Sequence, residues 1–262
     1  EFQKIITSIF LVVLVAMKFI CYPIWLIYRV WFYVLVGICT FILSPFLILS
    51  ILKESWYPFF YKIARFWSLC ILAGMGFYWS ARWEQDLERG QSYIFIANHT
   101  SMIDIMLMFA MVKYHPLVFV GKIELAKIPL FGFFYKRTSI LVDRSKYASR
   151  KAVFNQAQER IQKGLSICIF PEGGVPDESV VLDRFKTGAF RLSVEHNLPL
   201  VPITFFDNKK RFSYTFFSGS PGRMRAQVHA FLKPEAYKLD NLKVMRDKTH
   251  QLILSALKNS GC

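Results

Sequence analysis

The run NHTSMID at 98–104 sets His99 and Asp104 five positions apart, and this pair is the one in the chain best suited to proton transfer. An apolar stretch at 93–97 precedes it and reads as a short buried strand. An apolar run at 102–112 follows and reads as a helix, so His99 falls in the turn between them. At roughly 100° per residue, two residues five apart on one helix would point about 140° away from each other. With His99 in the turn and Asp104 in the first helical turn, they can meet. The carboxylate would then accept the proton on one ring nitrogen, fix the tautomer and leave the other nitrogen free as a general base. Ser101, followed three residues later by Asp104, also fits a helix capping box, and these seven residues alone leave both readings open.

A second stretch, ICIFPEGG at 167–174, is an apolar strand that runs into Pro171, Glu172 and a glycine pair. Together the two stretches resemble the glycerolipid acyltransferase family, whose best-known members are the lysophosphatidate acyltransferases. The family's His-x4-Asp motif matches His99 and Asp104, and its Phe-Pro-Glu-Gly motif matches residues 170–173. SILVDR at 139–144 is similar to the family's second motif, with Ser139 where glycine is common, and Val201, Pro202 and Ile203 match the fourth. All four stand in the family's order, and the resemblance covers residues 60–235. One departure concerns the acceptor. Members commonly continue the third motif with Thr-Arg-Ser, whereas this chain has Gly174, Val175 and Pro176.

The resemblance implies a membrane-bound acyltransferase that moves a fatty acyl group from acyl-CoA or acyl-ACP to the free hydroxyl of lysophosphatidic acid, giving phosphatidic acid. His99 would be the base and Asp104 its orienting partner. Glu172 would bind the acceptor's glycerol hydroxyl, Gly173 would let a backbone amide approach the substrate, and Pro202 would shape a pocket. Arg144 would hold a phosphate with its bidentate fork; Lys122 and Lys186 are further candidates for that anion. The residues at 128, 130, 131, 133 and 134 could line an acyl tunnel or pack as ordinary core. The missing arginine keeps a lyso-aminolipid or other lysolipid open as acceptor, and a non-catalytic lipid-binding scaffold is the alternative of a different class. Against the scaffold stand the intact His99, Asp104, Glu172 and Gly173.

The elements that must position these residues read as an α/β domain. Strand-length apolar runs at 93–97, 117–120, 139–142, 166–170 and 200–205 alternate with helical segments at 102–112, 147–162 and 184–195, the pattern of a mostly parallel sheet covered by helices. Residues 213–217 and 225–232, separated by GSPG, read as antiparallel additions, and 242–257 as a last helix. In front, 5–16 and 30–52 are apolar segments, the second without a charge over roughly 23 residues and so long enough to cross a bilayer core of about 30 Å. Tyr22, Trp25, Tyr28, Trp31 and Tyr33 crowd their junction, and Trp56 and Tyr57 follow, as amphipathic rings do at a membrane boundary. A cleaved signal peptide would need a small-residue cleavage site after the first segment, which is lacking. The division expected is therefore a two-helix membrane-anchoring hairpin at 1–57 and an α/β acyltransferase domain at 58–262. Residues 59–79 read as a further helix, with the sheet domain starting after Arg82.

Composition narrows the partners. The 262 residues are 54% hydrophobic and carry a formal net charge of +15. Charge alone would admit nucleic acid, but the apolar aromatic segments make an anionic leaflet the better partner. Lys53, Lys62 and Arg65 beyond the second segment place the catalytic domain on the cytoplasmic side of a membrane, a bacterial inner membrane on this reading. The expected partners are lysolipid and acyl thioester substrates, membrane lipids and an acyl carrier protein, without nucleic acid. Cysteines at 21, 39, 70, 168 and 262 form no CxxC pair or Cys/His cluster, so no metal is expected, and no cofactor beyond the thioester donor. No GxSxG, P-loop or GxGxxG occurs, which removes the usual serine hydrolase and nucleotide-binding readings.

Overall fold

A computed structural model of the chain describes residues 2–128, 131–143 and 145–260, with side chains described from residue 21 onward apart from 147 and 150. Two helices lead: α1 (Phe2–Ser50) and α2 (Tyr57–Gly74). The α/β part follows as β1 (Phe77–Trp83), β2 (Ile94–Ala97), α3 (Ile103–Met111), β3 (Leu117–Lys122), α4 (Phe131–Thr138), β4 (Ile140–Val142), α5 (Tyr147–Gln162), β5 (Ser166–Ile169), α6 (Gly188–Glu195), β6 (Leu200–Phe205), α7 (Asn208–Phe212), β7 (Gly222–Val228) and α8 (Leu242–Asn259). The strands form one sheet in the order β1-β7-β6-β2-β5-β3-β4. Every pairing is parallel except β6 with β7. This is the expected α/β class.

The central strand shows why the apolar runs carried the signal. All four residues of β2 are buried, because it is paired on both sides and covered on both faces. Successive strand residues face opposite sides of the sheet. Accordingly Phe119 of β3 meets Phe109 of α3, while Val120 faces a cleft shared with α5 and α6. On the α3 side the helices stack outward, α2 on α3 and α1 on α2.

Three expectations change. Where a two-helix hairpin was expected within 1–57, the backbone runs as one helix through Pro23 and Pro45, and the fold-back comes later, with α2 returning along α1. Between Lys18 and Arg29 the chain has no glycine, asparagine or aspartate to form a turn, so nothing but Pro23 interrupts the helix. The helix expected over 59–79 ends at Gly74. The chain turns at Gly76 (φ +72°) into β1, so the sheet begins before Arg82 rather than after it. Residues 213–217 form no strand: Ser213 makes a single antiparallel bridge to Ser101, and the rest is loop.

Helix α1 is tied to α2 between Tyr28 and Thr40. The Tyr28 hydroxyl donates to the Met75 carbonyl (3.0 Å), the Trp31 indole to that of Gly74 (2.9 Å), and the Trp67 indole to the Thr40 hydroxyl (3.0 Å). The first two satisfy carbonyls that the end of α2 leaves without helical partners. Phe32 and Leu47 are buried on the inner stripe, while Ile27, Phe41 and Ile42 stand exposed on the outer one. The span Cys21–Ser50, with mean hydropathy 2.4, is long and apolar enough to cross a membrane.

Candidate active site

His99 leaves the C-terminal end of β2, where ligands bind in open parallel sheets. Its Nδ1 lies 2.9 Å from Oδ2 of Asp104, whose side chain is wholly buried. That same oxygen accepts the backbone N–H groups of Thr100 (2.7 Å) and Ser101 (2.8 Å), and Oδ1 accepts the amide of Asn208 (2.7 Å). Asp104 thus reaches back from the first turn of α3 to tie down the loop before it and holds the imidazole at the same time, while the Ser101 hydroxyl accepts the Ile103 N–H (3.2 Å). A carboxylate can only accept, so the Nδ1 facing it carries the proton and Nε2 is the free base.

The rest of the site fixes the backbone beneath His99. Asn98 bridges β2 to β6, donating to the Phe205 carbonyl (3.0 Å) and accepting the Phe205 N–H (2.8 Å). Glu172, at the end of β5, is buried, and both of its carboxylate oxygens accept backbone N–H groups, Oε1 from His99 (2.7 Å) and Oε2 from Asp183 (2.8 Å). Burial pushes its carboxyl up to about 7, against the pull of those two N–H groups. Phe170 stacks on the imidazole at 4.1 Å and 18°, and Tyr214 meets it edge-on at 6.4 Å.

Phe170, whose ring stacks on His99, also lines a cleft of about 770 Å³ between α5 and α6, with Val120 and Val142 in its floor and Gly173 and Lys186 at its edge; His99 and Asp104 themselves do not line it. Gly173 closes the turn begun at Phe170, its N–H donating to that carbonyl (3.1 Å), and has φ +76°. A Cβ there would lie 2.5 Å from the Lys186 Nζ, so the ammonium rests directly over the glycine. Lys186 is anchored by its own N–H, which donates to the Pro171 carbonyl (2.8 Å).

Of the residues singled out in the sequence, His99, Asp104 and Glu172 come together, with Gly173 and Lys186 at the edge of the adjoining cleft. Lys122 ends β3 in an exposed position, 3.8 Å from Glu124. Pro202 is buried within β6 in register with Ile96. Ile128, Phe131 and Phe133 are exposed at and just before α4, with Phe134 buried. Arg144 and Leu130 lie outside the described residues. Asn98, Asn208 and Tyr214 were not anticipated. Asn208 is 104 positions from the carboxylate it supports, and no local spacing signals such a contact.

Comparison with known proteins follows the same lines. Residues 81–206 match the family model described as Acyltransferase. A 1-acyl-sn-glycerol-3-phosphate acyltransferase of Haemophilus influenzae is 28% identical over 171 residues, 64% of this chain and 70% of that protein. One of Salmonella typhimurium is 35% identical over 120 residues, 45% of this chain and 48% of that protein. The crystal structure of the 1-acyl-sn-glycerophosphate (LPA) acyltransferase PlsC from Thermotoga maritima superposes with TM-score 0.72 over 94% of this chain and 98% of that one, at 18% identity, a likeness of fold.

Proposed function

With an acyltransferase-family domain over residues 81–206 as premise, we propose that this enzyme acylates the free hydroxyl of lysophosphatidic acid from acyl-CoA or acyl-ACP, giving phosphatidic acid and a free thiol. The observation that carries this reading is the His99–Asp104 pair, with an acceptor-only carboxylate held by four hydrogen bonds behind an imidazole that stacks on Phe170 at the rim of an open cleft. Nε2 takes the acceptor's hydroxyl proton as the oxygen attacks the thioester carbonyl carbon. The tetrahedral adduct then collapses, the C–S bond breaks, and the imidazolium returns its proton to the leaving thiolate. Asp104 stabilises the imidazolium between the two transfers, and general-base assistance of this kind is worth on the order of 10²- to 10⁴-fold.

Lys186, over Gly173 at the cleft, faces the acceptor's phosphate. The curated relatives compared above bear the name of this activity, which supports the choice of acceptor. Gly174, Val175 and Pro176, standing where arginine is common, favour a lyso-aminolipid as the second reading. Membrane association is part of the proposal. The exposed outer stripe of α1 beds in one leaflet while its inner stripe stays on α2, and the sheet domain remains on the cytoplasmic side.

Thioester-dependent acylation in detergent micelles, read as released thiol with lysophosphatidate and a lyso-aminolipid offered in parallel, tests the reading. Turnover of lysophosphatidate that disappears in His99→Ala supports it. Turnover of the aminolipid alone moves the acceptor, and activity that survives the substitution refutes the mechanism.

A further inference from the structure

Arg29 is the single charged residue between Lys18 and Lys53, set in the apolar helix α1 and only 2% exposed. Its partners are carbonyl oxygens rather than carboxylates. Nε donates to Phe216 (2.9 Å), and one terminal nitrogen donates to both Ser213 (2.5 Å) and Thr215 (2.6 Å), with the guanidinium 4.0 Å over the Phe212 ring. Three carbonyls of one short segment therefore converge on one planar fork, a geometry that the point charge of a lysine cannot reproduce.

That segment, 213–217, is fastened to the His99 loop on its other side. The Ser101 hydroxyl donates to the Phe212 carbonyl, and Ser213 forms its β-bridge with Ser101. Between these two fastenings sits Tyr214, edge-on to the imidazole whose face Phe170 covers. We propose that Arg29 is a positioning residue for this site: from within α1 it holds residues 213–217 as a roof over His99, so that the membrane-facing helix and the proton-transfer pair are one mechanical unit. The catalytic consequence rests on the reading of His99 as the base; the geometric claim does not. Among the described residues no carboxylate lies within ion-pairing distance of Arg29, and three of its five N–H donors go to the roof carbonyls. An arginine serving only to anchor α1 would have no need to gather three carbonyls from the segment that carries Tyr214.

The test uses the full chain in detergent micelles and two readouts. The first is the rate at which diethyl pyrocarbonate modifies His99, followed by peptide mass spectrometry against His196 and His250 in the same sample. The second is kcat and KM for acyl transfer. Arg29→Lys is expected to raise His99 labelling several-fold, leave His196 and His250 unchanged, and lower kcat about tenfold with little change in KM. Tyr214→Ala, at an exposed position and so tolerated by the fold, is expected to raise His99 labelling in the same way by removing the shield itself, and Arg29→Gln, which keeps part of the donor set without the charge, decides the matter if Arg29→Lys does not fold. Wild-type labelling of His99 in the folded Arg29→Lys or Arg29→Gln protein, or in Tyr214→Ala, overturns the proposal. If the wild type transfers no acyl group to any lysolipid, the functional reading falls, while the labelling comparison still decides whether Arg29 holds the roof.

Discussion

Replacing Asp104 with asparagine separates the carboxylate's charge from its packing. Removing the side chain altogether, as in Asp104→Ala, would leave the N–H groups of Thr100 and Ser101 and the amide of Asn208 buried without an acceptor, at about 1–3 kcal/mol each, enough to endanger the fold. Asp104→Asn is different because of its neighbour. Oδ1 of Asn208 is buried without a hydrogen-bond partner, so a turn of that amide presents an acceptor to the new NH2 group while the remaining oxygen keeps the two backbone N–H groups. What is lost is charge assistance, worth roughly one further neutral hydrogen bond or about 1 kcal/mol. The imidazolium formed during transfer, however, loses the carboxylate 2.9 Å from Nδ1. Thermal unfolding should therefore fall by a few degrees, while kcat/KM falls on the order of 10²- to 10⁴-fold, the full contribution expected of a positioned general base. Activity within about threefold of wild type in a folded Asp104→Asn protein would refute the proton-transfer role; a variant that fails to fold would refute the proposed turn of Asn208.

Other perturbations follow from the same geometry. Because Glu172 in the folded protein is raised from 4.5 to about 7 by burial, its contribution to stability is fully present below about pH 4.5 and lost as pH rises through 7; at about 1.4 kcal/mol per pH unit the ceiling is about 3 kcal/mol. Denaturant unfolding between pH 4.5 and 7.5 should show this slope in the wild type and a flatter one in Glu172→Gln, and equal slopes would count against it. Gly173→Ala forces a left-handed backbone onto an L-residue, costing about 1–2 kcal/mol, and drives its Cβ into Lys186. The acceptor KM should rise in this variant, and an unchanged KM would detach Lys186 from substrate binding. Phe41→Glu places a charge on the outer stripe of α1 at a position 78% exposed. Sedimentation with anionic vesicles should weaken at least about tenfold, equivalent to 1.4 kcal/mol, with unfolding unchanged; undiminished binding would show that α1 is not the membrane contact.

How much was legible beforehand depended on the range of the interactions. The α/β class, the five expected strands and the bounds of α5 were readable because burial on a parallel sheet demands runs of apolar residues, a purely local property. His99 and Asp104 were readable because a turn and one helical turn bring them together without help from elsewhere. What the tertiary structure decided came from distant partners. The residue types of β1 match an aromatic helix, and only pairing with β7, far along the chain, makes it a strand. Glu172 was expected to reach toward substrate, yet its oxygens accept the N–H groups of His99 and Asp183, because β5 ends beside β2 in the sheet. Asn208 and Tyr214 reach the site only through the chain's return past β6, and Arg29 only through the packing of α1 at its edge. The sequence by itself thus determined that His99 and Asp104 meet, since they lie within one turn of each other. The groups that hold them in place were decided by tertiary structure, because a hydrogen bond across more than a hundred residues leaves no spacing to read.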